Sequence, residues 1–126
     1  MKEETISRIA VVILSIVLAA FGLYHLMYPD NMTSFVPSFL PGGIIWVYVA
    51  GIAIILAAIA FFTHRQVRLA GYLLAVLLIA IVLTFHLPNY LNAGNIDSKT
   101  TALIDILQDS AIAAFAMYIA SNAKKI

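Results

Sequence analysis

The sequence predicts an all-α fold, a four-helix transmembrane bundle, and three observations carry that reading. Hydrophobic residues make up 63% and charged residues only 10% of the 126-residue chain, against roughly 45–50% and about 25% in typical soluble domains. The apolar residues gather into four stretches of about 20, the length a helix needs to cross roughly 30 Å of hydrocarbon. The basic residues fall in alternate connections, the pattern that the positive-inside rule produces in a multi-pass chain. A water-soluble protein this apolar would have too little polar surface to cover itself, whereas lipid solvates such side chains directly.

The first span is expected at about Ile9 to Tyr28. Lys2 and Arg8 precede it as they would a secretory leader, but the stretch exceeds a usual h-region and no small-residue cleavage site follows. A retained helix is therefore expected. The second span, about Ile44 to Phe62, and the third, about Val67 to His86, are separated only by Thr63–Gln66. The fourth runs from about Thr101 to Ser121. Together they form one transmembrane domain over residues 1–126, multi-pass in the cell (inner) membrane of a bacterium.

Orientation follows from Lys and Arg. Lys2, Arg8, Arg65, Arg68, Lys124 and Lys125 fall on one side and Lys99 on the other, which places both the amino and carboxyl ends in the cytoplasm. Of the two outer connections, residues 29–43 hold Pro29, Pro37, Pro41, Gly42 and Gly43, which break regular helix. Met32, Phe35, Val36, Phe39 and Leu40 lie between them, so a short amphipathic segment at the headgroup level is expected there, capped by Asp30 or Asn31. The polar segment Pro88 to Thr100, with Gly94 and Asn95, is expected to run through water.

Composition removes several functions. The formal charge of +1 and the lack of a basic run leave no nucleic-acid partner. The absence of Cys excludes disulfides, thiolate metal sites, iron–sulfur clusters and a thiol nucleophile. There is no phosphate-binding glycine loop, HExxH or nucleophile elbow.

Chemistry must then come from polar residues within the spans, which are costly there and should face a bundle interior or cavity. The candidates are His25, His86, Asp105 and Asp109, all in the outer half by the orientation above. Tyr24, Trp46, Tyr48, Asn89, Tyr90 and Gln108 lie at similar depth. At roughly 100° per residue, Ser15, Ala19, Gly22 and His25 share a stripe, as do Trp46, Ala50, Ala53, Ala57 and Ala60. Gly71, Ala75, Ile79, Val82 and His86 form a third, and Asp105, Asp109, Ala113, Ala116 and Ala120 a fourth with Gln108 at its edge. Small residues let membrane helices pack closely, so polar and small residues should turn inward together. The expected result is a tight cytoplasmic half and a wider, polar outer half.

Plainer roles compete for each residue. The two histidines can be structural hydrogen-bond partners, Asp105 can favour the dipole of a helix first turn, and the aromatic residues can form an interfacial belt. His64 is expected to be solvated. Neither haem nor a divalent metal is indicated, since His25 and His86 stand at no diagnostic spacing for either. Carboxylates at i and i+4, as in Asp105 and Asp109, can instead share a proton, which suits proton relay or quinone chemistry.

Beyond these patterns, Gly22-x-x-His25-x-x-x-Pro29 is followed by Val36-Pro37-x-Phe39-Leu40-Pro41, Trp46-x-Tyr48-x-x-Gly51 and Arg68-x-Ala70-Gly71. In this order and spacing the stretch from Gly22 to about Ser121 resembles the DoxX-like family of small four-helix membrane proteins. Ile54 stands where many of those proteins carry a Glu. The resemblance implies a link to quinones or membrane redox complexes; more distant relatives act as assembly chaperones or cargo receptors.

The expectation that joins these readings is a redox-associated membrane protein with an outward-facing pocket. His25, Trp46, His86, Asp105, Gln108 and Asp109 would line that pocket and hold a quinone or similar hydrophobic ligand. The alternatives are a non-enzymatic subunit or assembly chaperone acting through a membrane protein partner or a homo-oligomer, and a proton-coupled carrier that would need at least a dimer.

Overall fold

The computed structural model describes residues 2–124; Lys125, counted among the basic residues above, lies outside them. Helix α1 (Glu3–Met27) leads through a 3₁₀ segment (Pro29–Phe35) to α2 (Ile44–Thr63). Helix α3 (Val67–Ile81) continues through a π turn (Val82–His86) into α4 (Leu87–Leu91), one rod of 25 residues. Helix α5 (Ile96–Ser121) closes the chain. The helices α1, α2, α3–α4 and α5 are all long and apolar enough to cross a bilayer. Ile13, Ile16, Leu56, Leu73, Val76 and Leu107 are exposed on their outer faces, a surface suited to lipid and not to water. This is a multi-pass membrane protein.

The helices are longer than their apolar stretches. Helix α1 begins at Glu3, not Ile9, because Glu3 and Glu4 sit favourably at a positive helix start. Helix α5 begins at Ile96, not Thr101, because the Asn95 side chain accepts the Ser98 N–H at 2.8 Å and caps it. The expected water-borne segment from Pro88 to Thr100 shrinks accordingly to a turn at residues 92–95. Asp30 and Asn31 cap nothing: Pro29 opens the 3₁₀ segment with no side-chain cap, and Asn31 Nδ2 donates to Tyr24 Oη instead.

Glycines decide which helices pair. A Cβ on Gly51 would come within 2.7 Å of the His25 Cβ, and one on Gly22 within 2.9 Å of the Gly51 carbonyl. The backbones of α1 and α2 therefore meet at these two residues. Gly71 does the same for α3 and α5, where an added Cβ would lie 2.7 Å from the Ala116 carbonyl. The fold is thus two close helix pairs, joined by α2 against α3 and by a shared core that includes Leu18, Ile54, Phe61, Leu74, Ala116 and Ile119.

Arg8 locks one end. Its guanidinium donates to the Phe61 carbonyl at 2.9 Å, which also accepts the His64 N–H, and to the Phe62 carbonyl, both in the last turn of α2. Charge-assisted bonds to a negative helix end set the register of α1 on α2. At this basic end the chain turns through His64 and Gln66, both in the left-handed region.

The small-residue stripes hold unevenly. On α5, Asp109, Ala113, Ala116 and Ala120 are buried as expected, with Asp105 half-buried. On α1, Ser15, Gly22 and His25 are buried, but Ala19 is exposed and Leu18 takes its place. On α2 the buried face is Val47, Gly51, Ile54, Ala57, Ala58 and Phe61; Trp46 is exposed and Ala50, Ala53 and Ala60 lie at the edge. Close approach at Gly51 turns the seam away from the alanines. On α3, Ile79 is exposed and Leu74 and Leu78 face inward instead.

Candidate functional site

Away from the basic end, the two helix pairs part around a cavity of about 120 Å³. All six residues expected at a pocket (His25, Trp46, His86, Asp105, Gln108 and Asp109) line it. Ten apolar residues complete the wall, among them Phe21, Phe35, Val47, Ile54, Leu78 and Phe85. Phe21, Phe35 and Phe85 were not foreseen. Phe21 had a visible signal, one turn before His25 on the same helix face; Phe35 had none, since the 3₁₀ segment reaches the cavity only in three dimensions.

That segment is the lid. Met32, Phe35 and Val36 line the cavity, while Phe39 is exposed. The apolar side therefore divides between cavity and surface instead of lying flat as one amphipathic face. Asn89 holds the lid by donating from Nδ2 to the Phe35 carbonyl at 2.9 Å, and Phe35 packs edge-on to His86 with ring centroids 6.2 Å apart.

His86 reaches the cavity because of the π turn. In a regular helix at roughly 100° per residue His86 would stand about 80° from Leu78 and about 20° from Ala75, at the margin of the buried face. Pro88 has no N–H to offer the Thr84 carbonyl, and its ring would collide with that carbonyl in a regular helix. The chain widens instead, so that the Leu87 N–H bonds the Val82 carbonyl five residues back. The wider turn takes up the excess rotation and buries His86.

Two carboxylates on successive turns of α5 bracket the ring. His86 Nε2 donates to Asp109 Oδ2 at 3.0 Å, and His86 Nδ1 lies 3.9 Å from Asp105 Oδ2, too far for a direct hydrogen bond. These last two atoms, His86 Nδ1 and Asp105 Oδ2, are buried and have no hydrogen-bond partner among the described residues. Asp105 cannot be a first-turn residue favoured by the helix dipole, because α5 begins nine residues earlier and Asp97 occupies that turn.

His25 faces the cavity from α1. Its Nδ1 lies 2.7 Å from the Phe21 carbonyl, which can only accept, so Nδ1 carries the proton and Nε2 is left as an acceptor. Its ring stands edge-on to Phe21 at 4.7 Å. Trp46 lines the cavity but spends its Nε1–H on the Pro41 carbonyl at 2.6 Å, across the turn made by Gly42 and Gly43 at positive φ. Tyr48 is exposed and Tyr90 packs under Lys99; neither lines the cavity.

A second, polar recess adjoins the first. It is lined by Ser34, Asn92, Asp97, Ser98 and Thr101 and shares Phe35 and Asp105 with the cavity. Asp105 therefore stands between a polar vestibule and an apolar chamber. Among the described residues no group of three His, Cys, Asp or Glu is placed to hold a metal ion.

Fold and site define a helical multi-pass membrane protein with a small apolar cavity that ends in a His–carboxylate cluster. The chain belongs to the family described as a domain of unknown function (DUF8561), whose profile matches residues 14–120. That match takes in α1 from Leu14 onward, α2 and α3–α4 whole, α5 as far as Ala120, and every residue of the cluster. Comparison with curated proteins and with solved structures finds no match.

Proposed function

We propose that this protein binds a ring-bearing hydrophobic molecule, of the quinone head-group type, in its cavity and serves a membrane redox system. One observation carries the reading: His86 Nδ1 and Asp105 Oδ2 are buried without partners beside an otherwise apolar chamber. Buried polar atoms without partners cost of order 1–3 kcal/mol each, so a group that satisfies them is held there strongly. The cavity of about 120 Å³ is somewhat smaller than the volume of about 150 Å³ that accommodates one benzene ring, so it would seat most of one ring. A ring would fill it and a hydrophobic tail would leave between the helix pairs into lipid. Kinship with the DoxX-like proteins, through the motifs at Gly22, Val36, Trp46 and Arg68, is proposed on the same footing.

The orientation is part of this proposal. Arg8 and Arg65 lie at the end of the fold opposite the cavity, and Arg68 and Lys124 adjoin the same helix ends. Retention of such an end in the cytoplasm turns the cavity to the outer side. Tyr24, Tyr28, Trp46 and Tyr48, all exposed near it, would then form the outer aromatic belt.

The test is a native mass spectrum of the protein released from mild detergent, for the wild type and for the double variant His25→Ala/Asp109→Ala. The wild type is expected to carry a ligand of quinone mass that the folded double variant has lost. A wild type free of any such adduct after loading with a short-chain quinone in both its oxidised and its reduced form would overturn the reading.

A further inference from the structure

The cluster also specifies which hydrogen-bonding group the ligand brings. Every cavity-facing N–H of the two histidines and Trp46 is already spent within the wall: His25 Nδ1 on Phe21, His86 Nε2 on Asp109, and Trp46 Nε1 on Pro41. What remains is the 3.9 Å gap between His86 Nδ1 and Asp105 Oδ2, together with the acceptor Nε2 of His25 and the side-chain amide of Gln108 on the cavity wall, and of these only the gap is buried on both faces.

With no proton in the gap, two carboxylates and a neutral ring would place two uncompensated negative charges beside an apolar chamber, and among the described residues no Lys or Arg lines it. One shared proton relieves this, on either His86 or Asp105. The gap then has one face that donates and one that accepts. An oxygen about 2.8 Å from each atom spans it, provided that it accepts from the first and donates to the second. A hydroxyl does both. A carbonyl placed there would meet the proton but oppose its lone pairs to those of the other face.

We infer that the cavity holds its ligand through a ring hydroxyl, so that it selects the reduced, hydroquinone form over the quinone. The inference rests on the proposed function. The polar vestibule reaches Asp105, so water that enters it competes with the ligand for the gap. A hydroxyl reproduces the hydrogen bonds of that water, and a carbonyl that displaces it does not. Because the shared proton can sit at either end, the vestibule also gives the bound hydroxyl a route for proton exchange with bulk water.

The test titrates the detergent-solubilised full chain anaerobically with a decyl-substituted 1,4-hydroquinone, its quinone and its dimethyl ether. Native mass spectrometry counts bound ligand, and the fluorescence of Trp46, the single tryptophan, reports occupancy of the cavity. The hydroquinone is expected to bind at least about tenfold more tightly than either analogue, as sites that hydrogen-bond a hydroxyl discriminate against ligands without one. Asp105→Ala should bring all three within about twofold while helix content stays unchanged. Equal or tighter binding of the quinone or the dimethyl ether by the wild type would overturn the inference. If that binding were still lost in His25→Ala, the cavity reading would stand without it; if none of the three bound, both would fall.

Discussion

Gly51 couples the packing of the fold to the site, and substituting it tests both. In Gly51→Ala the new methyl would lie 2.7 Å from the His25 Cβ and 3.2 Å from both the Gly22 carbonyl and Leu26 Cδ2. Leu26 can swing aside. The His25 Cβ and the Gly22 carbonyl cannot, because both are fixed to the backbone of α1. Restoring ordinary contact requires α1 to retreat by at least about 0.7 Å, against the grip of Arg8 on the far end of α2. Overpacking of this kind costs about 1–3 kcal/mol. The same retreat carries His25 out of the cavity wall, so ligand affinity should fall together with stability. The assay is reversible unfolding in mixed micelles, scored beside Gly94→Ala as control. Nothing lies within 4 Å of a Cβ on Gly94, so that variant should stay within about 0.5 kcal/mol of the wild type. Equal stability for Gly51→Ala and Gly94→Ala would refute the claim that α1 and α2 meet backbone to backbone at this point.

Other perturbations probe separate parts of the argument. Asp109→Ala leaves the buried Nε2 of His86 without its partner and should cost about 3 kcal/mol in the same unfolding assay; Asp109→Asn, which keeps an acceptor, should recover most of it. Arg8→Ala removes both bonds to the end of α2 and should cost about 1–2 kcal/mol given its partial exposure, with Arg8→Lys only a partial rescue because one ammonium lacks the guanidinium fork. Pro88→Ala restores the N–H that a regular helix needs; the π turn should close, His86 should rotate from the cavity, and hydroquinone binding should weaken with helix content by circular dichroism unchanged. His64→Gly relieves a left-handed backbone at the end of α2 and should stabilise by about 0.5–1 kcal/mol, with no effect on binding.

Residue chemistry alone reached far in this chain because the bilayer imposes two strong demands. Long apolar runs must be helices, since no other open structure satisfies the backbone in hydrocarbon. Polar side chains within them must find one another or a cavity. Those demands suffice to mark His25, Trp46, His86, Asp105, Gln108 and Asp109 and to bring them to one chamber. On α5 even the buried stripe is legible, because its small and acidic residues recur at helical spacing.

The same demands could not orient α2. All its faces are apolar, so periodicity favoured the alanine stripe, whereas the closest approach of backbones, at Gly51, chose the seam. Nor could they separate roles within the cluster. Asp105 and Asp109 are alike in the sequence, yet only Asp109 bonds His86, because the π turn at Pro88 sets the ring nearer one turn of α5 than the other. The lid was beyond reach for a related reason: Phe35 meets His86 across more than fifty residues, and tertiary ties such as the bond from Asn89 bring it there. Composition and periodicity thus determined the membrane, the helices and the residues with chemistry to offer. The tertiary structure alone decided which of their atoms are left without a partner, because that depends on angles and gaps of an ångström or less.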